Sequence, residues 1–167
     1  MKKFVIVSDS HNRTYEDRIN GVYERHPDAD YYIHCGDICL PPERTDQRWM
    51  IVRGNMDFLF DYPEYRFIDT EHHTILILHG NGLFSGYPDL IALSVYAKYM
   101  GADTLIFGHS HLYCDQEYNG IRLLNPGSLW QCRDGSPGSY MILVEEDDGT
   151  LKAERKFWNK NVQEQNA

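Results

Sequence analysis

Two imidazoles, His109 and His111, stand one residue apart just after Gly108, with only Ser110 between them. The apolar run at 104–107 that precedes them reads as a buried strand. In an extended chain residues i and i+2 point the same way. If that geometry continues past Gly108, both rings aim at one place. Similar polar groups follow other short apolar runs. Residues 4–7 lead into Ser8-Asp9-Ser10-His11, and residues 31–33 into His34-Cys35-Gly36-Asp37. Residues 51–52 lead into Arg53-Gly54-Asn55-Met56-Asp57, and residues 75–78 into His79-Gly80-Asn81-Gly82. Ligand sites in α/β sheets lie at the carboxyl ends of strands. The candidate set is therefore Asp9, His11, Asp37, Asn55, His79, His109 and His111. It mixes oxygen donors with imidazole nitrogens and contains no thiolate. Such a mixture suits Mn²⁺, Fe, Zn²⁺, Ni²⁺ or Co²⁺ better than Ca²⁺ or an iron–sulfur cluster. It has more donors than one tetrahedral zinc takes. Two ions sharing a bridging carboxylate would use them all. A pair of ions about 3.5–4 Å apart clamps an in-line phosphoryl displacement and lowers the pKa of a bridging water.

The elements that must position these groups are legible from periodicity. Strands are expected at 4–7, 31–35, 49–52, 74–78 and 104–107. A helix is expected over 15–26, stopped by Pro27, and another over 88–100. In the second, Leu90, Leu93, Tyr96, Ala97 and Met100 form an apolar stripe, and Gly101 offers the C-terminal stop. Beyond it, strands at 121–124, 140–144 and 151–157 alternate with turn signals at Asn119-Gly120 and Asp148-Gly149. The first two thirds thus read as alternating α and β, and the last third as a β-meander. One domain over 1–158 is expected, followed by a polar tail at 159–167.

Sixteen Lys and Arg against 25 Asp and Glu give a net charge of −9. Such a surface repels duplex nucleic acid and anionic lipid. An anionic substrate then needs a local positive centre, which metal ions supply. Four cysteines form no C-x-x-C pair. The N-terminal apolar run is too short for a signal-peptide core, and no run of about 18 apolar residues occurs. A cytoplasmic protein with reduced thiols is the expectation.

Taken in order, DSH (9–11), GD (36–37), GNMD (54–57), HG (79–80) and GHSH (108–111) resemble the signature of the calcineurin-like metallophosphoesterase superfamily. NPGS at 125–128 is similar to the turn after the last motif in its small bacterial and archaeal phosphodiesterase branch. The resemblance implies an α/β fold, a four-layer αββα sandwich of two mixed β-sheets flanked by helices. It implies that Asp9, His11 and His111 hold one divalent ion, that Asn55, His79 and His109 hold the other, and that Asp37 bridges. Asp37, Asn55 and His109 are also assigned to the catalytic step. Two ions per chain are implied, manganese first, with Fe, Ni, Zn or Co compatible. The implied activity is hydrolysis of a small phosphate ester, first a phosphodiester, by a metal-bridging water or hydroxide; a homo-oligomer is compatible with it. The alternatives are a phosphomonoesterase or nucleotidase of the same fold, and a retromer-type scaffold that binds proteins without catalysis. Two positions depart from the common pattern. Met56 stands where a histidine often acts near the leaving group, and Asn81 where a second histidine often follows H-G. Asp57 and His34 are the candidates to replace the missing proton donor, although His34 also reads as a hydrogen-bonded core histidine. His26, His72 and His73 read as solvated. Asn12 and Arg13 follow the first motif and could reach a substrate phosphate, but Arg13 reads equally as a surface residue, and neither is assigned to catalysis.

Overall fold

The computed structural model describes residues 1–11 and 18–158. Two five-stranded sheets face each other. The first contains β1 (Lys2–Val7), β2 (Tyr31–His34), β3 (Trp49–Ile51), β9 (Ser139–Glu145) and β10 (Leu151–Phe157), in the order β10-β9-β1-β2-β3. The second contains β4 (Tyr65–Asp69), β5 (Thr74–Leu78), β6 (Thr104–Ile106), β7 (Tyr113–Tyr118) and β8 (Ile121–Pro126), in the order β4-β5-β6-β8-β7. Each sheet has a parallel centre, β1-β2-β3 in one and β5-β6-β8 in the other, with antiparallel partners outside it.

The central strands are apolar on both faces because both faces are covered. Alternate residues serve different layers. Phe4 and Ile6 pack between the sheets with Ile33, Ile75, Ile77, Ile106, Leu124, Met141 and Leu143. Val5 and Val7 face outward, against Val22 of helix α1 (Asn20–Arg25) and the Trp49 and Trp158 side chains. On the far side Leu76, Leu105, Phe107 and Leu123 meet Leu93 and Ala97 of α2 (Leu90–Tyr99). Three apolar layers therefore separate four layers of structure, as expected for the αββα sandwich. No helix of the described residues is long and apolar enough to cross a membrane.

Helix α2 is held at both ends. The Asp89 side chain accepts from the Ala92 amide at 3.0 Å. At the other end Gly101 takes φ +82°, its amide reaches the Lys98 carbonyl, and Ala102 reaches back to Ala97. Only α1, the C-terminal part of the helix expected over 15–26, falls within the described residues there. The tail at 159–167 lies outside them.

Two features depart from the sequence reading. The last third is not a meander. β7 and β8 form a hairpin through Asn119-Gly120, with φ +53° and +78°, in the second sheet. β9 and β10 form another in the first. The turn at 125–128 carries the chain between sheets, which local hydropathy does not encode. Strands β4 and β7 were not anticipated. Both are edge strands, largely exposed, and their pairing rests on backbone hydrogen bonds rather than on buried side chains.

Candidate metal centre

The parallel strands of both sheets end on the same edge of the sandwich. From the first sheet, the loops after β1, β2 and β3 bring Asp9 and His11, Asp37, and Asn55. From the second, the loops after β5 and β6 bring His79, His109 and His111. The backbone that delivers them is not extended. Asp9, His11, Asp37, His109 and His111 have φ between 52° and 68°, as does Cys39 at 58°. These are six of the seven non-glycine residues with positive φ among those described, the seventh being Asn119 of the hairpin turn. Left-handed backbone costs about 1–3 kcal/mol per residue and gathers where a site dictates it. Asp, Asn and His tolerate it better than other side chains.

His109 and His111 consequently do not share one position. His111 Nε2 lies 3.2 Å from Asp9 Oδ1 and 3.3 Å from His11 Nε2. The His109 ring instead meets His79 edge-on at 5.1 Å and Phe84 at 5.4 Å. Two groups result, Asp9–His11–His111 and Asp9–Asp37–His79, each with donor atoms within 4.8 Å of one another. Asn55 joins the second through Oδ1, 3.0 Å from His79 Nε2. Asp37 Oδ2 lies 3.3 Å from His79 Nε2 and 3.9 Å from His11 Nε2, between the groups. Asp9 stands in both groups and Asp37 lies between them, where the sequence reading gave the shared position to Asp37 alone.

Asp9 supplies the test of whether a cation fits. Its side chain is fully buried. Oδ2 accepts from the Ser8 hydroxyl at 2.5 Å and the His109 amide at 3.1 Å. Oδ1 accepts no hydrogen bond, although it lies 3.2 Å from His111 and 3.9 Å from both His11 and His79. A buried carboxylate oxygen without a donor is costly. Surrounded by imidazole nitrogens, it has the environment of a ligand to a divalent ion. Burial raises the Asp9 pKa, but the His111 and His79 rings outweigh it and hold the carboxyl at about 2. Burial lowers the His79 pKa, and Asp37 and Asp9 reverse this, lifting it to about 9. The centre is thus short of positive charge. Its donor set fits divalent cations.

A second ring of contacts locks these loops. His79 Nδ1 donates to the Cys35 carbonyl at 2.7 Å, which turns Nε2 towards the centre. Buried Asp57 accepts from the amides of Asp37, Cys39 and Gly54 at 2.7–2.8 Å. His34 accepts from the Gly36 amide at 3.1 Å and donates to the Ser10 hydroxyl at 2.9 Å; burial holds its pKa at about 3. Asp57 and His34 therefore face inward, whereas Met56 is half exposed. Asn125 donates to the Gly108 carbonyl and the Ser110 hydroxyl, and Ser128 donates to the Asp9 carbonyl. The NPGS turn thus joins the first and last motifs, a role the sequence signalled only by its resemblance. Burial and the charges of Asp57 and Asp37 push the Cys39 thiol up to about 12, and Cys39 belongs to neither group of candidate ligands. Against expectation His73 is bonded, to Asp103 at 2.9 Å and the Gly149 carbonyl at 2.7 Å. His26 meets the Tyr140 hydroxyl, and His72 is exposed. Asn81 is exposed beside the centre. Asn12 and Arg13 lie outside the described residues.

Comparison with known proteins agrees with this geometry. Residues 1–148 match the family model of the calcineurin-like phosphoesterase superfamily domain. The chain is 33% identical over 146 residues to "Probable metallophosphoesterase YsnB" of Bacillus subtilis, covering 86% of this chain and 85% of that one. A conserved Streptococcus pneumoniae protein, described as a predicted phosphoesterase, superposes with a TM-score of 0.78 at 24% identity, over 93% and 98% of the two chains. Vps29 of Entamoeba histolytica, solved complexed with zinc, superposes with a TM-score of 0.68 at 24% identity, over 94% and 99%.

Proposed function

The chain belongs to the calcineurin-like phosphoesterase superfamily, and from that premise we propose that it is a metal-dependent phosphoesterase acting on phosphodiesters. The observation that carries this reading is the orphaned, fully buried Asp9 Oδ1 among three imidazoles. Asp9, His11 and His111 would hold one divalent ion, and Asn55, His79 and His109 the other. Asp37 and Asp9 would keep the pair together. Manganese is the first candidate, given oxygen and imidazole donors without thiolate. When bound, such ions generate a nucleophile from water at neutral pH and offset charge on the phosphate oxygens.

The chain's own residues do the rest. The two carboxylates, Asp9 and Asp37, would hold the ions side by side. The Cys35 carbonyl fixes the tautomer of His79. The Asn55 amide, with Oδ1 towards His79, keeps Nδ2 as a donor for a phosphate oxygen. Met56 cannot offer a proton to the leaving group, and Asp57 and His34 face inward. Diesters with stabilised leaving groups are therefore the favoured class. Four unpaired cysteines are in keeping with a reducing, cytoplasmic setting.

The rival scaffold reading rests on shape. That shape is common to a predicted phosphoesterase and to Vps29, so it does not choose between them; the complete donor set favours chemistry. The deciding experiment measures bound metal by elemental analysis and hydrolysis of bis(p-nitrophenyl) phosphate and p-nitrophenyl phosphate with added Mn²⁺. Two ions per chain and faster diester turnover are expected. Metal-loaded protein that hydrolyses neither ester would return the scaffold reading, and faster monoester turnover the monoesterase one.

A further inference from the structure

A cavity of about 710 Å³ opens against Asn55 and His79, and its lining is not what a bare phosphate needs. Three rings from three elements reach it: Phe58 after β3, Tyr65 on β4, and Tyr96 on α2. Tyr65 pairs in register with Leu78, the residue before His79, which brings the edge strand's ring alongside the centre. Phe58 and Tyr65 are 70% and 46% exposed and belong to none of the three apolar layers. The fold does not require aromatic side chains at these positions. The one guanidinium on the wall is Arg53, whose Nη2 meets Glu64 at 2.6 Å. Glu64 is 74% exposed, and such surface pairs are weak. Arg53 can therefore exchange Glu64 for a ligand anion.

We propose that this cavity receives one ester arm of the substrate and selects an arm bearing a planar aromatic ring, held by Phe58, Tyr65 and Tyr96. Rings lining a polar cavity bind flat π-faces with little regard to their substituents. Among the described residues of this wall Arg53 is the one guanidinium, and it provides for one further negative charge. The substrate class is an aromatic phosphodiester, a nucleoside ester being one form, rather than an alkyl or sugar diester. The assignment of the phosphate to the metal centre rests on the phosphoesterase reading above, but the test needs no turnover.

Isothermal titration of the Mn²⁺-loaded full chain with phenylphosphonate and with methylphosphonate, at a pH where both are dianions, isolates the ring. Stacking on aromatic side chains gives about 5–150-fold in affinity, so phenylphosphonate should bind about 10-fold tighter. The double variant Phe58→Ala, Tyr65→Ala should reduce that preference to about 2-fold or less and leave methylphosphonate unchanged. Both side chains are exposed, so the variant keeps the three cores, and Tyr65→Phe should retain the preference. Equal affinities in the wild type, a preference that survives the double substitution, or binding of neither phosphonate would overturn the proposal. A protein that prefers the ring yet hydrolyses no ester keeps the aromatic cavity and loses the hydrolytic reading. One that hydrolyses diesters without the preference does the reverse.

Discussion

Met56 makes the residue scale testable. Its side chain is half exposed at the tip of the loop carrying Asn55, and it cannot move a proton. General acid catalysis contributes about 10²–10⁴-fold where a leaving oxygen needs protonation. Across diesters of rising leaving-group pKa, log kcat/KM should therefore fall steeply, with nitrophenolates fast and alkoxides slow. Met56→His should flatten the slope by raising only the poor leaving groups; a flat wild-type slope would mean another donor acts. Asp57 belongs to the opposite class, structural rather than chemical. It accepts three amides from the loops after β2 and β3. Asp57→Ala strands those donors in the interior, so we expect about 3 kcal/mol of lost stability in urea melts, with weaker metal binding as a consequence. In the sequence this residue stood as a possible proton donor, because a carboxylate within a motif looks reactive. Its three amide partners come from residues 3 to 20 positions away, and only the folded loops show that its oxygens are occupied.

At the scale of elements, what was legible followed from burial. The seven candidate ligands were readable because each follows an apolar strand, and strands buried on both faces are continuous apolar runs. Edge strands β4 and β7 have no such mark. The left-handed loops were also hidden, since Asp and His adopt that backbone without announcing it, and the expected extended path through His109 and His111 was wrong for that reason. Close approach between elements explains the glycines. At Gly108 an added Cβ would stand 2.2 Å from the Ser8 hydroxyl and 2.9 Å from Asp9 Oδ2. The loop after β6 touches the loop after β1 there, sheet against sheet. Overpacking of this kind costs about 1–3 kcal/mol. Gly108→Ala should lower stability by that amount. It should also weaken metal binding more than that loss alone accounts for, because the crowded oxygens are Asp9 Oδ2 and the Ser8 hydroxyl that donates to it. Calorimetric titration with Mn²⁺ against a urea melt separates the two, and an unchanged metal affinity would mean the loops part without disturbing the ligands.

For the whole molecule, the centre is a joint between two sheets. Asp9, His11, Asp37 and Asn55 come from the first, and His79, His109 and His111 from the second. Ions held by all seven would fasten one sheet to the other, so metal binding and global stability should be coupled. A ligand that binds only the folded state at about 100 times its Kd stabilises by about 2.7 kcal/mol per site. For a chain of this size each kcal/mol moves the Tm by about 2–4 °C. Saturating Mn²⁺ should then raise the Tm by about 5–11 °C for one site and more for two, and a chelator should reverse it. Asp9→Asn tells this clamp apart from general salt effects. Asp9 Oδ1 takes no hydrogen bond, and it lies near a second carboxylate, Asp37, in the same buried group. An amide there removes a buried charge and offers its N–H to the imidazole nitrogens. Burial opposes that charge, but the His111 and His79 rings favour it, holding the carboxyl at about 2, so at neutral pH metal-free Asp9→Asn should melt below metal-free wild type, and its response to Mn²⁺ should disappear. If the variant instead melts with the wild type when neither holds metal, the imidazoles do not favour the Asp9 charge. If it keeps the full Mn²⁺ shift, the ions that stabilise the protein sit elsewhere.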